Sequence, residues 1–159
     1  MNINVDRINL AIIDGDGGLR DVKTFWFREV TARGYPRRRA WSTIGMRVHE
    51  MLDYAYHHGV RVLFLEDPEA LGRLRMLWIR NGRRLHENYN YRVATFRGSI
   101  IEMIAMKAPL YSIEVKYVNL KGTTSSEEHD EVMRRYGLDG HTASAYLIAL
   151  KGLKQPKTP

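Results

Sequence analysis

Residues 60–67, Val-Arg-Val-Leu-Phe-Leu-Glu-Asp (VRVLFLED), form a nearly continuous apolar run ending in two carboxylates. A run of this length, bounded by turn residues, reads as a strand covered on both faces, the pattern of a central, parallel strand. Just upstream, Gly59 stops a helix whose Ile44, Val48, Met51, Leu52 and Ala55 share one face, so a helix is expected from Trp41 to His58. The basic loop GYPRRR (34–39) precedes it. Further back, NINVD (2–6), INLAIID (8–14) and VKTFWF (22–27) read as three strands, the last two joined through the turn-forming DGDGG. Trp26 and Phe27 are expected in the core. Downstream, residues 68–89 are basic and helix-prone, and Phe96, Ile100, Ile104 and Ala108 mark a second helix that stops near Pro109. SIEVKYVN (112–119) is the fifth strand, 121–137 is polar and charged, and Ala143, Tyr146, Leu147 and Leu150 line a final helix. Strand, helix and strand in this order make a right-handed crossover, so the expected class is α/β with a mixed sheet.

A chain of 159 residues with 44% hydrophobic content suits one domain, here 1–154, followed by a frayed tail at 155–159. The 25 Lys and Arg against 18 Asp and Glu leave a net charge of +7, which favours a polyanionic partner, nucleic acid before an anionic membrane. No apolar run approaches the roughly 18 residues of a membrane span, and no signal segment opens the chain. A soluble, cytoplasmic protein is expected. With no Cys there is no disulfide framework, thiolate zinc site or cysteine chemistry. The high charge and missing Cys also suit a prokaryotic, thermophilic source. The oligomeric state is not assigned.

Four patches carry a family resemblance. Arg92-Val-Ala-Thr-Phe leads through Lys107-Ala108 to Ile113-Glu-Val-Lys-Tyr-Val-Asn119 and Gly122-Thr-Thr-Ser125; Leu65-Glu66-Asp67 lies upstream and Asp139-Gly-His-Thr-Ala-Ser-Ala-Tyr-Leu-Ile-Ala149 downstream. Together they resemble the RuvC-like domain of TnpB/OrfB-type transposon-encoded nucleases. The resemblance implies an RNase H-like (RuvC-type) three-layer domain, with a five-stranded mixed sheet flanked by helices. It departs from the family between Ser125 and the last helix, where SSEEHDEVMRRYG replaces the paired Cys-x-x-Cys of a zinc ribbon, so no zinc is expected.

The function so implied is divalent-metal-dependent hydrolysis of a phosphodiester, with Mg²⁺ or Mn²⁺ held by carboxylates from separate elements. DNA is the first substrate expected and RNA the second. Glu66, at the end of its strand, is the foremost candidate ligand. Asp67 and Glu69 are near substitutes. Asp139 is a second metal candidate or, alternatively, a helix N-cap. His141 shares its segment and could ligate or position water. The first acid of the family falls on Asn2, or in another register on Asp14 or Asp16, where the plainer reading is a hairpin turn. An amide at Asn2 does not offset cation charge. The alternative function is therefore a catalytically degenerate nucleic-acid-binding or accessory protein. Arg73, Arg80, Arg83, Arg84 and Lys121 are the candidate nucleic-acid contacts, with Trp78, Tyr89 and Tyr91 as stacking surfaces. His57 and His58 read as helix-end residues, and His129 among Glu127, Glu128 and Asp130 as a solvated charged turn. DGDGG lacks the spacing of a phosphate-cradling loop.

Overall fold

A computed structural model describes residues 1–68, 84–120 and 125–156, with the backbone alone at 84–95. β1 (Asn2–Ile3), β2 (Arg7–Ile13) and β3 (Leu19–Trp26) form an antiparallel sheet; α1 (Arg37–His57) leads to β4 (Val62–Glu66), and α2 (Arg84–Lys107) to β5 (Glu114–Val118), parallel to β4. α3 (Ser126–Tyr136) and α4 (Gly140–Lys154) close the chain. Side-chain alternation sorts the faces. Ile8, Leu10 and Ile12 of β2, with Leu63 and Leu65 of β4, pack under Ile44, Val48, Met51 and Leu52 of α1 and Ile100, Ile101 and Ile104 of α2. Ala11, Val22 and Ile13 face Val132 of α3 and Ala143, Tyr146 and Leu147 of α4. Phe64 faces Gly152 of α4, so β4 is covered on both sides as its apolar run requires.

The expected five-stranded mixed sheet is not formed. The structure has a three-stranded antiparallel sheet and a separate two-stranded parallel one. The reason lies in β1, which pairs with β2 only at Asn2↔Asn9 and Ile3↔Ile8, and meets β4 through one bond from the Met1 nitrogen to the Phe64 carbonyl (3.1 Å). Alongside Leu10–Ile13 and Val60–Phe64 the two strand edges face a cavity of about 860 Å³ instead of each other. The family order of elements does not by itself close a ladder.

Three local readings also change. α1 begins at Arg37 rather than Trp41, because Pro36 sits at its N-cap and the arginines continue the helix. Residues 126–136 are helical. Ser125 accepts a hydrogen bond from the Glu128 amide and Gly137 closes the helix in the left-handed region (φ 64°), signals masked by the single buried side chain, Val132. Phe27 is fully buried but Trp26 is 37% exposed, because the strand ends there and turns its indole outward. The hairpin is tied to α4 by Tyr146, whose hydroxyl donates to the Gly17 carbonyl at 2.9 Å. Burial and the neighbouring Tyr136 hydroxyl push its phenol up to about 12. The tail from 157 lies outside the described residues, and among those described no helix is long and apolar enough to cross a membrane.

Candidate functional site

Strand polarity gathers the polar residues. β1, β3, β4 and β5 all run toward one edge of the layer, since β1 and β3 both oppose β2 and Asn2 and Glu66 line the same cleft. That cleft, about 450 Å³, is lined by Asn2 of β1, Glu66 of β4, Arg97 of α2, Ser125 at the cap of α3, Ser126, His129 and Asp130 of α3, and Ser144 of α4. Arg97 donates from Nη2 to Glu66 Oε2 at 2.7 Å, with side chains 22% and 17% exposed. The carboxylate is thus neutralised in place. Among the described residues the guanidinium Nε of Arg97 is buried without a partner.

An amide and imidazole chain lies beside this pair. Asn4 Nδ2 donates to Asn2 Oδ1 (2.7 Å) and lies 3.1 Å from His141 Nδ1. An amide nitrogen can only donate, so Nδ1 accepts and the neutral His141 ring carries its proton on Nε2. His129 Nε2 lies 2.9 Å from the Gly140 carbonyl and 3.2 Å from Ser144 Oγ; the carbonyl only accepts, so this nitrogen is protonated and pins α3 to the start of α4. The solvated-turn reading of His129 is corrected by the helix that carries it.

Of the proposed acids among the described residues, Glu66 alone lines the cleft. Asp139 caps α4, its carboxylate accepting from the Thr142 amide at 2.7 Å. Burial pushes this carboxyl up, but the bonds from Thr142 and from the His141 amide outweigh it and hold the carboxyl below its usual range. Asp14 closes the β2–β3 hairpin, accepting from the Asp16 and Gly18 amides at 2.9 Å and pairing with Arg20 at 2.6 Å. It stands about 17 Å along β2 from Asn9, the partner of Asn2, and so at the opposite end of the sheet. Asp16 supplies a backbone amide to the same turn. Arg73, Arg80, Arg83 and Lys121 fall outside the described residues, as do Glu69, Trp78 and the side chains of Arg84, Tyr89 and Tyr91.

Asp139→Ala is expected to cost about 0.5 to 1 kcal/mol at neutral pH, the low end for a cap because the carboxylate is exposed. The folded-state carboxyl titrates below its unfolded value, so this contribution is present above about pH 4 and is lost as pH falls through the folded value. Urea midpoints of wild type and variant should differ at pH 7 and converge on acidification; an equal gap at both ends would deny the cap its ionised form.

The same edge carries a basic rim that the sequence reading passed over as a loop. Arg47 Nε bonds the Trp26 carbonyl and Tyr54 bonds Asp21, so α1 runs back along β3 and its first turn projects about 12 Å beyond Trp26. That turn is Arg37-Arg38-Arg39, all exposed, with no acidic residue in it. The guanidiniums of Arg28 and Arg7 lie over the exposed Trp26 ring, 3.8 and 4.3 Å from its centroid. Trp41, in the next half-turn of α1, packs on Phe96 (centroids 5.2 Å apart), the neighbour of Arg97, which joins rim to cleft.

Over 155 residues the chain is 63% identical to each of two uncharacterized proteins of Aeropyrum pernix, and over 152 residues it is 36% identical to an uncharacterized protein of Saccharolobus solfataricus. The source of these relatives is archaeal. The alignments cover 98%, 98% and 96% of this chain but only 42%, 37% and 40% of the relatives, so the chain spans about two fifths of the length of the proteins it matches. No family model matches the chain, and no solved structure matches it.

Proposed function

We propose that this chain is a nucleic-acid-binding domain related to the RuvC-like part of TnpB/OrfB-type proteins, engaging a strand along the rim and across the cleft, in the cytoplasm. The observation that carries the reading is Arg37-Arg38-Arg39 in the first turn of α1. A helix N-terminus favours anions, so three cations there oppose the dipole at about 0.3 to 1 kcal/mol each, a cost that a bound phosphate backbone reverses. Trp26 beside Arg7 and Arg28 adds an aromatic surface with cations, as single-strand binding uses.

Hydrolysis is the weaker reading, because the cleft's donor set does not fit a cation pair. Glu66 is already matched by Arg97, Asn2 offers an uncharged amide, and Asp139 is occupied as a cap. Among the described residues no group of three or more acidic or histidine side chains is placed to hold a cation.

Binding of single-stranded DNA should weaken by about 10- to 100-fold in the triple variant Arg37→Gln, Arg38→Gln, Arg39→Gln at low salt, and the slope of log affinity against log salt should fall by about 2. Circular dichroism should show α1 intact, since the changes relieve repulsion. Unchanged affinity and salt slope would remove the reading.

A further inference from the structure

We propose that Arg97 is the phosphate-binding residue of the cleft, exchanging its Glu66 partner for the oxygens of a phosphodiester. The idea deepens the nucleic-acid reading and rests on it for the source of the phosphate.

Three observations carry it. First, the Arg97–Glu66 contact is a single one, Nη2 to Oε2, and among the described residues Nε is buried without a partner. A guanidinium is a planar fork that matches two oxygens at once, so a one-point pair with an orphaned Nε leaves it incompletely matched. A phosphodiester offers two equivalent oxygens in the bidentate spacing that the fork prefers. Turning Arg97 about its long stem moves Nε out of the protein and onto those oxygens.

Second, the cleft walls suit an anion once Glu66 is accounted for. Ser125 and Ser126 bring hydroxyls and Asn2 an amide to the cleft wall, while the Ser144 hydroxyl and the His129 Nε2–H are held by the Gly140 carbonyl. Among the described residues, the acidic groups lining the cleft with Arg97 are Glu66 and the exposed Asp130. With Arg97 on the phosphate, Glu66 loses its guanidinium partner, so the exchange costs one partly buried ion pair and gains a two-point one.

Third, the rim leads here. Trp41 on Phe96 places the start of α1 next to the residue preceding Arg97, so a strand lying on Arg37–Arg39 has its next phosphates at the cleft. Arg97 is a binding residue by this account, and the cleft is where the strand is held closest.

The test uses the full chain with two probes, a short oligodeoxythymidylate and inorganic phosphate, read by the Arg97 Nε–H resonance and by titrated affinity. Both probes are expected to shift that resonance. Glu66→Gln, which keeps a neutral acceptor but removes the competing negative charge, should tighten both about tenfold, and Arg97→Lys should loosen both about tenfold. Should Arg97→Lys fail to fold, the Glu66→Gln arm decides alone. Oligonucleotide binding that depends on Arg37–Arg39 yet leaves the Arg97 resonance and the Glu66→Gln affinity unchanged overturns this proposal and spares the nucleic-acid reading. A phosphate response without oligonucleotide binding does the reverse: it keeps Arg97 as a phosphate site, for a free phosphate ligand, and removes the nucleic acid. No response to either probe overturns both.

Discussion

Gly152→Ala is expected to destabilise the protein by about 2 to 3 kcal/mol, lowering the melting temperature by about 5 to 10 °C. Gly152 lies in α4 where the helix crosses β4, and a Cβ there would stand 2.2 Å from Cδ1, 2.3 Å from Cγ and 2.7 Å from Cε1 of Phe64. These atoms are the base and flank of the ring, so rotating the side chain does not clear them. Either the helix lifts or Phe64 leaves its rotamer. Both choices disturb the contact that covers one face of β4, the strand that presents Glu66. Helix propensity alone would favour Ala over Gly by roughly 1 kcal/mol, so a loss means that the clash outweighs it. Phe64→Leu in the same background should recover about 1 kcal/mol or more beyond additivity, read in a double-mutant cycle from chemical denaturation. A stabilised Gly152→Ala would show that α4 and β4 are not packed this closely.

The second large effect concerns the charges. Arg97→Met is expected to cost about 2 to 3 kcal/mol, because it strands the Glu66 carboxylate, 17% exposed, without the guanidinium that meets it at 2.7 Å. The figure is set below the range for fully buried pairs, since about a fifth of each side chain still meets solvent. Glu66→Gln alone should cost less, as the amide oxygen still accepts from Nη2, and Glu66→Gln combined with Arg97→Met should cost less than Arg97→Met by itself. Thermal or urea unfolding of the four proteins gives the coupling. A loss under about 0.5 kcal/mol for Arg97→Met would mean that the pair is solvated and the cleft open to water.

Arg97 was within reach of the sequence and was missed. It lies three residues before Ile100, four before Ile101 and seven before Ile104, all buried, so it occupies the core register of α2. A guanidinium there must find an acceptor, and VRVLFLED ends in one. Ser125-Ser-Glu-Glu128 with Gly137 likewise announced α3, and the cap at Asp139 was one of the two readings its position allowed. The structure joins Asn2 and His141 through Asn4, and Asn2 lines the cleft. Apolar character alone did not assign Trp26, which lies between buried Phe25 and Phe27 and so points to the opposite, solvent side.

The sequence alone determined what depends on near neighbours: the buried run of β4, the apolar stripes of α1, α2 and α4, the hairpin turn and the caps. Each rests on side-chain alternation or a hydrogen bond spanning a few residues, and so survives any arrangement of the rest. Tertiary structure decided which of these ends meet. Whether β1 pairs with β4 turns on one contact 63 residues apart in the chain, and that contact is too short to build a ladder. Whether Glu66 faces a cation or a guanidinium turns on a contact across 31 residues, fixed by how α2 lies on the layer. Charge tells only that a partner is needed; the packing of helix on strand selects it, because a carboxylate 17% exposed is matched by whatever positive group the backbone brings within about 3 Å.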